Sequence, residues 1–262
     1  MTITFSTLSA LQINLFILVF MRMSGLFLFN PILGRDNVPL LLRATLGFLC
    51  AIVVTPTLSG VSVQINGVIQ LMVMSLGELL VGLTLGVVAS TVIYIVQLAG
   101  EQIDIQMGLA MSKMYDARAN VNMPIIGSFF NLIMIFCFFS ANAHLTLIAF
   151  VCDSFKLITP GTVFPTQQSL HFVVALGKDY FTFGLQMAIP VIAVEIVCQI
   201  ALGLLMRTVP TINIFAVGLQ IELLVGLVLM VITMAAITAL CGQLVSFLVE
   251  KSAEVLRLMA SG

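Results

Sequence analysis

Four charges stand alone inside long apolar runs of the chain: Arg22, Glu78, Glu195 and Glu222. Leaving one such charge in hydrocarbon costs at least about 2.5–3.5 kcal/mol on insertion scales, so each must face protein, water or an opposite charge. Carboxylates in that position have two chemistries open to them. They can carry protons, as in a proton-coupled transporter, or form ion pairs between helices or between subunits. None of the three has a second carboxylate at helical spacing in its own segment, and this isolation favours pairing. Arg207, at the turn between the last two apolar segments, joins the same group of assembly charges.

A second concentration of chemistry lies at 101–123. Five of the 21 charges (Glu101, Asp104, Lys113, Asp116, Arg118) and four of the 15 methionines (Met107, Met111, Met114, Met123) fall there. Gly100 and Gly108 give the backbone freedom, and Asp116-Ala-Arg-Ala-Asn120 reads as a turn before Pro124. The stretch is either an ordinary polar loop between two spans or a flexible methionine-lined element. Thioether side chains are unbranched and polarizable and repack around a changing neighbour, which suits a pore that closes. On the second reading Met107, Gly108, Met111, Lys113, Met114, Asp116, Arg118 and Met123 belong to an element able to close a pore.

The elements that must position these groups are helices. About 20 apolar residues span a bilayer core as helix. Joining runs interrupted by a single charge gives six segments, 8–33, 40–58, 68–100, 124–152, 180–206 and 212–249. Several are long enough to be bent helices or hairpins, and the eight prolines mark bends or ends. The longest polar-leaning connection is 153–179, the expected seam between a four-segment N-terminal part and a C-terminal hairpin turning near Arg207–Asn213. Gly82, Gly86 and Ser90 make a small-residue stripe for close helix packing, a weak signal in so glycine-rich a sequence. With the N-terminus outside, inside loops hold five basic residues (Arg35, Arg43, Lys113, Arg118, Arg207) and outside ones four (Lys156, Lys178, Lys251, Arg257). So flat a bias is unlike a simple row of independent spans.

Composition excludes the soluble classes. Of 262 residues 61% are apolar and 8% charged, with mean hydropathy +1.21. A soluble domain carries roughly 25% charged residues, so this chain cannot cover a water-facing surface. A net charge of −1 gives no footprint for nucleic acid. The five cysteines form no C-x-x-C pair and read as small hydrophobes. No Lys or Arg precedes Arg22, so the first apolar stretch is expected to remain in the mature protein. His144 and His171 sit in no ligand pair, and protease, hydrolase and P-loop motifs are missing. The expectation is a non-enzyme with no metal and no cofactor.

Several blocks resemble the FliR family of flagellar export-gate proteins, called SctT in the related injectisomes. They are Arg22-Met-Ser-Gly-Leu-Phe-Leu-Phe-Asn-Pro31 with Val38-Pro39 and Arg43, and Gly100-Glu-Gln-Ile-Asp-Ile-Gln-Met-Gly-Leu-Ala-Met-Ser112 ending Asn122-Met-Pro124. Asn142-Ala-His-Leu145 with Asp153-Ser154 follows. Last come Glu195 through Ala201-Leu-Gly-Leu-Leu-Met-Arg207 and Val209-Pro-Thr-Ile-Asn-Ile-Phe215 with Gly218. They keep the family's order across nearly the whole chain. Gln-Met-Gly-Leu and Asn-Ala-His-Leu look more like flagellar members than injectisome ones. The chain departs from the family at Ala117, Ala143 and Thr211, where Pro, Gly and Gln are usual, and the first change loosens the turn after the methionine-rich stretch.

The resemblance implies an all-α subunit of the flagellar type III export gate. Residues 1–178 would pack like FliP and the hairpin 179–262 like FliQ, within one integral-membrane helical domain. A single copy would assemble with FliP and FliQ into a closed cone at the bacterial inner membrane, in the flagellar basal body, with FlhB at its entrance and lipid around it. Unfolded flagellar proteins would pass through, and the segment matching Met107–Met123 would lie in the channel as its plug. The alternative is an ion-coupled secondary transporter or channel for a small solute, which would use intramembrane carboxylates as carriers and break helices near the midplane.

Overall fold

The computed structural model describes residues 5–29, 39–58, 63, 65, 67–109, 124–161, 167–208 and 214–260. Among these residues seven α-helices follow one another: α1 (Phe5–Phe29), α2 (Leu40–Val54), α3 (Val68–Gln106), α4 (Ile125–Ser140), α5 (Ala143–Leu157), α6 (Gln167–Thr208) and α7 (Ile214–Ala260). A 3-10 turn, Thr55–Leu58, continues α2. Among the described residues there is no strand, and the fold is all-α. Among the described residues four stretches are long and apolar enough to cross a membrane: Leu40–Leu58, Val68–Gln106, His171–Leu205 and Val217–Ala260. The pair α4 and α5 passes the same test taken together.

Proline sets several boundaries. Pro39 and Pro124 stand at the N-caps of α2 and α4, where a missing backbone N–H costs nothing because no intrahelical acceptor waits for it. Pro190 instead lies inside α6, where it removes one rung of the ladder without ending the helix.

Several boundaries differ from expectation, α7 for one running on to Ala260 instead of ending at 249. The single segment 124–152 is broken at Asn142, whose φ of 54° is left-handed. Asparagine enters that region at little cost because its short amide bonds locally. The polar connection 153–179 shrinks to 158–166, because α5 runs on to Leu157 and α6 begins at Gln167. Charge alone does not stop a helix. Asp153 and Lys156 form an exposed pair at 2.7 Å along α5, whereas the chain leaves the helix just before Pro160 and Gly161.

The chain divides into two compact units. The first takes Met1–Thr91, Asn142–Gly177 and Ser246–Gly262. Its core is the crossing of α1 with the first half of α3. A Cβ on Gly82 would fall on the Arg22 carbonyl oxygen, and one on Gly25 would lie 2.5 Å from that of Leu79. Only glycine lets the two backbones come so close. At the other side of α1, Phe16 and Phe20 meet Phe48 of α2 edge-on.

The second unit takes Val92–Ala141 and Lys178–Val245. Here the second half of α3 is central. It crosses α4 where a Cβ on Gly100 would overlap the Gly127 backbone, and Leu98 packs against Gly184 of α6. Over its most apolar stretch α3 is 67% buried, against 17% for α2, α6 and α7. Those three helices turn large apolar side chains outward, among them Val53, Val197, Leu204 and Val231, as a helix does only beside lipid or another chain.

Candidate functional site

In the first unit the buried charge on α1 meets its opposite. Arg22 is 0% exposed, and its Nε donates to Glu78 Oε2 of α3 at 2.5 Å. One terminal nitrogen donates to Ser154 Oγ at 2.9 Å and the other to the Ile158 carbonyl at 3.3 Å. The guanidinium carbon lies 4.1 Å from the centre of the Phe155 ring, a cation–π contact of about 2 kcal/mol when desolvated. Glu78 Oε1 accepts the Gly161 N–H at 2.7 Å. The node therefore ties α1, α3, α5 and the turn after α5 together. Gly161 reaches that position with φ +85°, a conformation that favours glycine. Nothing near Arg22 in the sequence points to Ser154, Phe155, Ile158 or Gly161.

In the second unit the entry to the methionine-rich stretch is built from three devices. Gly108, with φ +74°, turns the chain off the end of α3, the left-handed glycine stop common after helices. Met107, 1% exposed, lies over Gly226 of α7, where a Cβ would come 2.5 Å from its Cε and 2.7 Å from its Sδ. Asp104, also buried, accepts the N–H groups of Ile125 at 2.5 Å and Ile126 at 3.0 Å. Those donors begin α4 and have no partner inside the helix, and a carboxylate there also meets the positive end of its dipole. One carboxylate on α3 thus fixes the point where the chain returns after 110–123. Met111, Lys113, Met114, Asp116, Arg118 and Met123 lie outside the described residues. In the sequence Asp104 reads only as one charge of a polar stretch; its helix-capping role has no signature there, nor does Gly226, the seat of Met107.

Glu195 on α6 and Glu222 on α7 belong to the same unit. Glu195 is 0% exposed, and neither of its oxygens has a hydrogen-bond partner. Glu222 is half-buried, and its Oε2 lies 4.0 Å from where a Cβ on Gly108 would be. Arg207 is exposed near the end of α6. Gly203, within the block Ala201-Leu-Gly203, has open space on its Cβ side.

Residues 13–248 match the family described as bacterial export proteins, family 1. The chain belongs to this family. It is 32% identical over 248 residues to the flagellar biosynthetic protein FliR of Bacillus subtilis (strain 168), covering 93% of this chain and 95% of that protein. It is 28% identical to FliR of Escherichia coli (strain K12), with 93% of each chain covered. FliR of Aquifex aeolicus (strain VF5) is 26% identical over 86% of this chain and 87% of its own. Family membership and four apolar helices of spanning length make this export protein a membrane component of flagellar protein export.

Proposed function

We propose that the chain is the FliR-type subunit of the flagellar export gate, seated in the bacterial inner membrane at the basal body. One copy assembles with FliP- and FliQ-type subunits into the channel that unfolded flagellar proteins cross, with FlhB at the entrance. The observation that carries this reading is a family match running from residue 13 to residue 248. Residues 1–178 pack as the FliP-like part and 179–262 as the FliQ-like hairpin. The outward apolar faces of α6 and α7 support a partner surface there.

The subunit does no chemistry on its substrates; it shapes and closes their path. Met107–Met123 is the plug. Gly108 and Asp104 anchor its two ends, and Met107 in its seat on Gly226 holds the start of the segment to the helix core. Arg22 and Glu78 hold the fold of the subunit, whereas Glu195, Arg207 and Glu222 serve assembly.

The test is isolation state. Tagged chain, expressed from its native locus and extracted in mild detergent, should carry FliP- and FliQ-type subunits in fixed ratio. Purification alone or as a symmetric homo-oligomer would contradict the reading and favour a solute transporter.

A further inference from the structure

Among the described residues of its own unit, Glu195 has no cation to pair with. The described cations there, Lys178 and Arg207, stand on α6 itself, 17 and 12 residues away (195 − 178 and 207 − 195). A rise of 1.5 Å per residue puts them about 25 and 18 Å along the axis, beyond the reach of any side chain. Among the described residues no Lys, Arg or His makes an ion pair with Glu195 or Glu222. Arg22 and Glu78 show the contrasting case, in which every polar atom of a buried charge is met within the chain.

The position on the helix is informative. The inward stripe of α6 runs Gly184, Met187, Ala188, Val191, Glu195, and Glu195 ends it. Beyond it no described side chain of α6 is fully buried, and Ile200, Leu204 and Leu205 stand well exposed. A carboxylate without a partner thus sits where the chain stops covering its own helix. Half-buried Glu222 forms the open side of the pair.

We infer that Glu195 and Glu222 form an anionic socket for one basic side chain, Lys or Arg, carried on an apolar helix of another subunit. The inference rests on the export-gate reading and names the chemistry of the partner at that surface. The incoming cation meets Glu222 first, with Glu195 behind it strengthening the field in a water-poor site. Two carboxylates around one cation leave neither charge uncompensated, and a partner helix without a basic residue leaves both, so the socket also selects its occupant.

The complete gate, extracted from its host, provides the test. Glu195→Gln and Glu222→Gln should each lower the co-purified partner subunits by about tenfold or more. The level of the chain itself should hold, because Gln relieves a buried charge that has no partner among the described residues. A benzophenone side chain at Ile221, beside Glu222 and exposed, should cross-link to an apolar segment of another subunit with Lys or Arg within one helical turn. Cross-links confined to lipid, to this chain, or to a segment lacking Lys and Arg would overturn the socket. So would wild-type partner recovery in both Gln variants, or full assembly of Glu195→Gln with export abolished, which is the signature of a proton carrier. Wild-type chain that brings down no other export subunit would instead overturn the export-gate reading itself.

Discussion

Arg22 shows what an isolated charge requires when it is enclosed. Its three nitrogens are each used, an aromatic face covers its carbon, and the second Glu78 oxygen is occupied by Gly161. Breaking such a pair costs more than the pair contributes, since one charge is then left buried without compensation. Glu78→Gln should therefore destabilise the chain by about 3–5 kcal/mol, read as loss of membrane accumulation and of thermal resistance in detergent. A double replacement by apolar residues, Arg22→Met with Glu78→Leu, should recover a good part of that loss. Equal damage from the single and the double change would mean that the node acts through something other than charge. That Arg22 and Glu78 needed a partner was legible in the sequence. Their other partners were not, because Ser154 and Ile158 stand 132 and 136 residues from Arg22 and carry no local signature.

At the scale of elements, the methionine-rich stretch depends on how its ends are held. Asp104→Ala would leave the first N–H groups of α4 without their acceptor, a cap loss of about 0.5–2 kcal/mol. The expected outcome is an assembled complex in which Ile125 and Ile126 exchange their amide hydrogens faster, with unchanged protection through the middle of α4. Unchanged exchange at Ile125 and Ile126 would contradict the cap. Helix limits followed the sequence closely where proline or a long apolar run set them, as at Leu40 and Ile125. They escaped it where the deciding feature was conformational. The stop at Asn142 rests on one left-handed residue within an apolar run, and α6 continues through Pro190. Asp153, Lys156, Lys178 and Asp179 read as a loop by charge, yet they ride on helices: lysine is a good helix former, and Asp153 pairs with Lys156 one turn on.

For the whole molecule, the apolar faces of α6 and α7 must be covered, and Gly203 offers a place where another helix can approach closely. Gly203→Leu adds bulk without touching the chain's own contacts, so it should leave the chain folded and lose FliQ-type partners; wild-type recovery of every partner would remove that packing assignment. The central claim is closure. A pore wide enough for an unfolded polypeptide leaks ions unless something adaptable fills it, and methionine rotamers interconvert at little cost. Charges that hold a plug through exposed pairs of about 0–1 kcal/mol yield to an arriving substrate, as a stronger latch does not. The direct measurement is the ion conductance of membranes carrying assembled complexes that lack residues 110–118. The account predicts intact assembly with conductance well above that of the wild type; a complex that assembles and stays ion-tight would place the closure in the partner subunits instead.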